Sequence, residues 1–432
     1  MSDIGKNDDG KSGIEISRRR LLGTVGAAGA TGLALGAAGG AGVLAATADE
    51  PATALTTVGS AAESFHGDHQ AGITTPMQSC GHLIAFDLTA GTGAGADGAA
   101  GRRAAIALMR RWSATASRLM AGEPAGDGDT GVALDAGPSL LTITFGFGRT
   151  FFDRTGLAAR RPVELDPLPP FSSDQLDPRR SDGDLWVQIG ANDALVAFHA
   201  LRAIQKDAGE AARVRWQMNG FNRSPGATAQ PMTARNLMGQ IDGTRNPKPS
   251  EPDFDRRIFV QPDTAAATEH PWLAGGSYAV VRRIRMLLDD WEQLSLKQQE
   301  RVIGRRKSDG APLTGGSETT DLDLDRTGPD GKLIIPDNAH ARISAPEQNG
   351  GAAMLRRPYS FHDGIAADGT PDAGLLFICW QADPLKGFVP VQRKLDRGDA
   401  LSPFIRHEAS GLFAVPGGPE KGEYVGQRLL ES

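Results

Sequence analysis

The sequence predicts an α+β fold built as two tandem β-α-β-β-α-β units, each an antiparallel sheet covered by helices. Three observations lead there. The chain has 432 residues, room for two domains rather than one. Its residues are 40% hydrophobic and 23% charged, a balance that can bury a real core. Strand-like alternation and helix-like spacing then follow one another in the same order twice, the ferredoxin-like arrangement.

In the first unit, a Phe65–Ile73 segment precedes a short apolar strand at 82–88. A helix follows at 102–120, where Ile106, Met109, Trp112, Ala116 and Leu119 recur every three or four positions. Gly, Asp and Pro make 121–138 a loop, and the β-formers of 141–147 make a strand. A Pro- and Asp-rich excursion at 155–184 leads to a strand at 185–189. Asn192 is the expected cap of the next helix, with Leu195, Phe198, Leu201 and Ile204 as its buried stripe. A strand at 213–218 closes the unit.

The second unit repeats the order. A strand at 278–286 is followed by a helix from Asp289 to about 303, with acids in its first turn. A polar insertion spans 304–352. Strands at 354–361 and 375–381 flank a turn containing Asp368-Gly369. A helix at 384–395 and a strand at 412–415 complete the set. The expected domains are 49–220 and 221–432, joined through 221–276.

Residues 1–48 read as a leader. Ser17-Arg18-Arg19-Arg20-Leu21-Leu22 is a twin-arginine pattern, a weakly apolar Gly/Ala run follows, and Ala46-Thr47-Ala48 offers a cleavage site. The expected product is exported to the periplasm, cell envelope or exterior, with no stable membrane anchor after cleavage. Twin-arginine export carries folded proteins, often around a cofactor. The net charge of −6 gives no nucleic-acid footprint. Cys80 and Cys379 form no CxxC pair, which disfavours a cysteine-based zinc or redox centre and leaves their own pairing open.

The chain is organised around Gly239-Gln240-Ile241-Asp242-Gly243-Thr244-Arg245-Asn246-Pro247. One acid sits between two glycines, and Asn-Pro favours a turn, so the loop can aim a carboxylate at a ligand. None of the eight histidines makes an HExxH pair, which disfavours a zinc hydrolase. His66 and His69 flank Asp68 and make at best a weak metal site. His199 falls on the buried helix stripe and reads as a satisfied core histidine. His340 lies in the long insertion, where packing does not require it. Arg356 and Arg357 share a strand and therefore face opposite sides, and the buried one needs an anionic partner. Asp372 and Asp383 flank the last long apolar strand.

These residues resemble the dye-decolourising peroxidases, in particular the exported, deferrochelatase-like branch. The resemblance spans nearly all of the mature chain and rests on Phe65–Ile73, Gly239–Gly243, His340, Leu355-Arg356-Arg357 and Leu375–Cys379. It implies one haem b per chain, with His340 as the proximal iron ligand, Asp242 as the distal acid–base and Arg356 as the distal arginine. A haem held by neutral imidazole leaves its other face open to peroxide. Asp242 would shuttle the peroxide proton and Arg356 would stabilise developing charge. An aspartate in that role points to activity favouring acid pH. A proximal imidazole usually donates its other N–H to an acceptor, for which Asp383 is preferred and Asp372 second. Arg245 and Asn246, with Gly243 and Thr244 beside them, are expected at a haem propionate. The implied partners are hydrogen peroxide and a reducing substrate, with a redox protein as a further candidate. The family is credited with surface electron transfer through Trp or Tyr, for which Tyr359, Trp380 and Trp291 are available. Taken singly, each is more simply a core aromatic.

Two rivals remain at this stage: an envelope haem- or iron-handling protein using the same pocket, and a haem-free binding protein of the same fold class. A small-barrel chlorite-degrading relative ranks behind both, because the Asp242 loop departs from its pattern.

Overall fold

The doubled alternation becomes nine antiparallel strands in the computed structural model, which describes residues 56–92, 97–228 and 233–432. The expected leader at 1–48 lies outside the described residues. No helix among them is long and apolar enough to cross a membrane. The first unit supplies β1 (Cys80–Leu88), β2 (Thr142–Gly148), β3 (Leu185–Ala191) and β4 (Ala212–Phe221). The second supplies β5 (Ser277–Met286), β6 (Leu355–Arg356), β7 (Tyr359–Ile365), β8 (Pro371–Gln381) and β9 (Ile405–Val415).

Within the first unit the strands lie in the order β2-β3-β1-β4, and within the second β7-β8-β5-β9. Second, third, first, fourth is the same ferredoxin-like order both times. The two sheets join edge to edge. Phe147 pairs with Ala414 on one side, and Phe221 pairs with Ser360 on the other. The eight long strands therefore close on themselves, and β6 pairs with β8 in line with β7, on the side of β8 away from β5. Side chains alternate along each strand, so one face of every strand fills the interior and the other meets helices. Trp186, Trp216, Trp380 and Phe413 occupy the interior, with Trp186 stacked 5.4 Å from Phe413.

Helix α1 (Gly98–Met120) covers the first sheet. The Asp97 side chain caps it by accepting from Ala99 N, and Leu108, Met109, Trp112, Ala116 and Leu119 form its buried face. Helix α2 (Ala194–Ala208) lies beside it but differs from expectation in two ways. Asp193, not Asn192, is the cap, accepting from Leu195 N at 2.9 Å and Val196 N at 3.0 Å. Asn192 instead accepts from Ser79 N. The buried face is Val196, Ala197, Ala200, Leu201 and Ile204, leaving Leu195 60% and Phe198 44% exposed. His199 is buried and bonds Asp129 Oδ1 at 2.8 Å, the satisfied core histidine anticipated.

In the second unit the helix expected at 289–303 is broken. It forms α3 (Leu288–Glu292) and α4 (Leu296–Ile303), because Ser295 and Gln298 make a reciprocal capping box that starts a new helix. The strand expected at 354–361 is interrupted at Arg357-Pro358, since proline has no N–H to donate to the ladder. Strands β8 and β9 begin earlier than expected, at Pro371 and Ile405. A short helix α5 (His340–Ile343) lies within the polar insertion, and α6 (Phe388–Gly398) lies over the sheet.

The excursion after β2 reaches across to the second unit. Phe171 packs edge-on against Phe388, Asp174 pairs with the buried Arg282, and Asp396 of α6 accepts from Ser172 N and Ser173 N at 2.8 Å each. The Phe65–Ile73 segment also ties the units together. Gln70 bonds the carbonyls of Phe145 and Pro416, and His69 bonds the Gly275 carbonyl while stacking on Phe259. No group of three metal-ligating side chains exists there or elsewhere among the described residues. Cys80 and Cys379 are free thiols.

Candidate active site

The site grows from the Asp242 loop. Asn236 Oδ1 accepts from Met238 N and Gln240 N, and Asp242 N donates to the Ala234 carbonyl at 2.9 Å. Arg235 fastens the turn from behind, bonding the carbonyls of Gly239, Lys307 and Ser308. Gly239 and Gly243 take φ of +78° and +119°, and a Cβ at Gly239 would sit 2.7 Å from the Lys307 side chain. The positive φ is what favours glycine at both positions. The result is a fixed platform for one carboxylate. Asp242 Oδ1 accepts from Arg356 Nη1 at 3.1 Å, and Asn236 Nδ2 approaches the other oxygen at 3.4 Å. Both charged side chains stay partly open, 20% for Asp242 and 27% for Arg356.

Arg356 and Arg357 do face opposite sides. Arg356 lines the cavity, whereas Arg357 is buried in the seam between units. Its partners are the carbonyls of Gly72 and Pro76 and the side chain of Gln78, so neutral oxygens take the place of the anion expected for it.

His340 lies in the same cavity, close enough for the charges of Asp242 and Arg356 to act on it. Its Nδ1 bonds Asp399 Oδ2 at 2.6 Å, and the Asp399 side chain is only 2% exposed. The acceptor is thus Asp399 at the C-terminal end of α6, not Asp383 or Asp372. Asp383 instead pairs with Lys386 and caps the turn before α6, accepting from Leu385 N. Asp372 is held by the buried Arg283. Asp399 in turn accepts from Leu401 N at 2.9 Å, which fixes its orientation. A carboxylate only accepts, so His340 Nδ1 carries a proton, and in the neutral ring Nε2 keeps its lone pair. Burial opposes protonation of His340, but the Asp399 charge and hydrogen bond outweigh it and raise its pKa.

The cavity between these groups has a volume of about 250 Å³. That is far beyond the ~10–15 Å³ one water needs. Its walls are chiefly apolar, including Ile284, Met286, Leu375, Phe377, Val391 and Leu395. A flat, largely apolar macrocycle suits such walls. At the polar side stand Arg245 and Arg305. Arg305 is buried, gives Nη1 to the carbonyls of Gly310 and Glu318, and has Nη2 without a partner. Burial, then the neighbouring charge of Arg245, lowers its pKa. An orphaned guanidinium N–H beside a second arginine is a receptor for carboxylate. A free imidazole nitrogen, an apolar slot and a carboxylate receptor together fit haem.

Of the residues expected at a propionate, Arg245, Gly243 and Thr244 line the cavity. Arg245 also pairs with Asp321 and Glu347, and Thr244 donates to Glu318. Asn246 is placed differently. Its amide bonds the backbone of Arg356 and is not part of the cavity wall. Asp399 and Arg305 escaped the sequence reading. The Ser295-x-x-Gln298 box that breaks the helix before Arg305 was the one signal for the bend.

The aromatic candidates for surface electron transfer are all interior. Trp291 is 1% exposed, Trp380 0% and Tyr359 3%. Trp291 Nε1 bonds the Met238 carbonyl, and Tyr359 Oη bonds Gln78. All three are core aromatics.

Comparison with known proteins gives the family. Residues 70–222 match the family model for the Dyp-type peroxidase N-terminal domain, and residues 233–420 the C-terminal one. The chain is 45% identical over 364 residues to a dye-decolorizing peroxidase of Thermobifida fusca (strain YX), covering 84% of each chain. It is 36% identical over 430 residues to the deferrochelatase of Escherichia coli (strain K12), covering 96% of this chain and 97% of the relative. Among solved structures, ferric DtpA from Streptomyces lividans is 73% identical with a TM-score of 0.83, covering 88% of this chain and all of that one. The chain belongs to the Dyp-type peroxidase family and is a haem peroxidase.

Proposed function

We propose that the protein uses hydrogen peroxide to oxidise dyes, phenols or other bulky reductants, with one haem b held by His340 and its propionates met by Arg305 and Arg245. The observation that carries this reading is the presence in one apolar cavity of a carboxylate-supported imidazole and an Asp–Arg pair. When bound, haem iron supplies the redox centre at which the peroxide O–O bond is broken. Asp242, on its rigid loop, takes a proton from one peroxide oxygen and delivers it to the other. Arg356, already within hydrogen-bond distance of Asp242, stabilises the negative charge that grows on the departing oxygen. Asp399 holds the His340 ring in one orientation and one tautomer. The two electrons consumed come from the reductant. The leader at 1–48 supports export by the twin-arginine route.

A second reading, release of iron from haem, is favoured by the match to a deferrochelatase along nearly its whole length. The haem-loaded protein given peroxide and an anthraquinone dye separates the two. Peroxide-dependent bleaching with no metal-free porphyrin is the expected result. Fluorescent porphyrin and free iron under anaerobic reduction, without bleaching under peroxide, would favour the second reading instead.

A further inference from the structure

Strand β6 is two residues long and sits at the edge of the sheet, paired on one side only, through Arg356 opposite Cys379 in β8. An edge strand leaves its outward N–H and C=O without a strand partner. At Arg356 both are taken by one side chain. Asn246 Nδ2 donates to the Arg356 carbonyl at 2.7 Å, and Asn246 Oδ1 accepts from Arg356 N at 3.0 Å. A carboxamide can do both at once, whereas a carboxylate only accepts and a hydroxyl has too short a reach for the pair. Asn246 is itself fixed by its own N–H donating to the Gly243 carbonyl at 3.0 Å. Pro358 follows two residues after Arg356 and gives no N–H, so β6 has little backbone pairing of its own to rely on.

We infer that Asn246 is the positioning residue for Arg356: its amide replaces the missing neighbour strand and locks the arginine to the loop that carries Asp242. One short loop then sets both members of the Asp–Arg pair, Asp242 directly and Arg356 through the Asn246 amide. Asn246 acts on the arginine backbone rather than on haem, in place of the propionate contact its sequence position suggested. This inference rests on the reading of Arg356 as the donor to anions at the open face of the iron.

Fluoride binding to the ferric, haem-loaded protein tests it, because a bound anion reads the Arg356 donor without peroxide turnover. The proteins are wild type, Asn246→Asp, Asn246→Ala, Arg356→Ala and the double variant Asn246→Ala with Arg356→Ala. Arg356→Ala is expected to weaken fluoride by tenfold or more, as loss of a charged hydrogen bond does, roughly a factor of 10 to 100. Each Asn246 variant is expected to weaken it by about fivefold to tenfold while retaining haem at the wild-type dissociation rate. The double variant should bind fluoride no more weakly than Arg356→Ala alone, since the amide acts only through the arginine.

Wild-type fluoride affinity in both Asn246 variants would overturn the inference. So would a further loss in the Arg356→Ala background, which marks general loosening, or rapid haem loss, which puts Asn246 on the cofactor. Arg356→Ala with unchanged fluoride affinity would remove the reading of Arg356, and the inference with it. Asn246→Asp, isosteric and still able to accept from Arg356 N, keeps the test open should the alanine variant fold poorly.

Discussion

The two units share a strand order, yet their helical faces are used in opposite ways. In the first, α1 runs unbroken for 23 residues and packs with α2 onto the sheet through Met109, Trp112, Ala116, Val196 and Ile204, all buried. In the second, the corresponding helix is cut into pieces of 5 and 8 residues, and around the buried Met238, Met286, Trp291 and Leu375 its apolar neighbours Leu288, Val302 and Ile303 stay partly exposed. Space that a long helix would fill becomes the cavity, and the insertion at 304–352 brings His340 to it. The sheet is left intact. A binding site is thus made by interrupting the cover of a sheet while the other unit keeps the closed structure stable.

The contrast breaks most readily on the packed side. Trp112 has no exposed surface and donates Nε1 to the Ile204 carbonyl at 2.9 Å. Trp112→Ala should cost about 3–5 kcal/mol in urea unfolding, while the folded fraction keeps its haem spectrum. A small loss of stability, or a changed spectrum, would mean the two faces are not separable in this way.

On the cavity side the effects should be chemical. Asp399→Asn removes the charge that orients and supports His340. Outer-shell partners of this kind are worth about 10–100-fold in metal affinity or activity. Haem transfer to an apo-globin should speed accordingly and the midpoint potential of the iron should rise. Unaltered values would remove Asp399 from its assigned part.

A third variant probes the far end of the same cavity. Burial, followed by the Arg282 charge, lowers the pKa of His407 to about 3. The unfolded chain titrates this residue near ~6.5. Between those values the unfolded state binds a proton that the folded state refuses. The stability it contributes is complete above about pH 6.5 and is lost as pH falls towards 3, by at most ~1.4 kcal/mol per pH unit. His407→Gln should flatten the fall in urea midpoint between pH 7 and pH 5. An unchanged slope would show that His407 is hydrated in the folded protein.

The smallest effect belongs to the surface. Leu195→Ser and Phe198→Ser should each change stability by no more than about 0.5 kcal/mol, because both side chains are exposed. A loss of several times that, measured by the same unfolding, would restore them to the core.

These cases also mark what the amino-acid sequence carries. Strand order and the Asp242 loop were legible because alternation and glycine placement are local. The meeting of Asp242, Arg356 and His340 was legible through short patterns at recognisable positions. Asp399 was not, since it lies 59 residues beyond His340 and becomes a partner only when α6 ends beside the insertion. Asp383 had the better sequence context, but its carboxylate serves a turn and Lys386. The pairing of Asn246 with the Arg356 backbone was not legible, because an amide bonding a strand edge leaves no pattern in the chain. The buried face of α2 was misjudged because Leu195 and Phe198 have helical spacing with Leu201 and Ile204 but lie on the open side.

Mixing the ferric, haem-loaded protein with one equivalent of hydrogen peroxide, for wild type and Asp242→Ala, probes the Asp–Arg cavity most directly. With Asp242 as the proton carrier, the Soret band should shift at a rate about 10²–10⁴-fold lower in the variant, with the resting spectrum unchanged. Equal rates in the two proteins would contradict the role given to Asp242 and, with it, the reading of the loop around which the chain is organised.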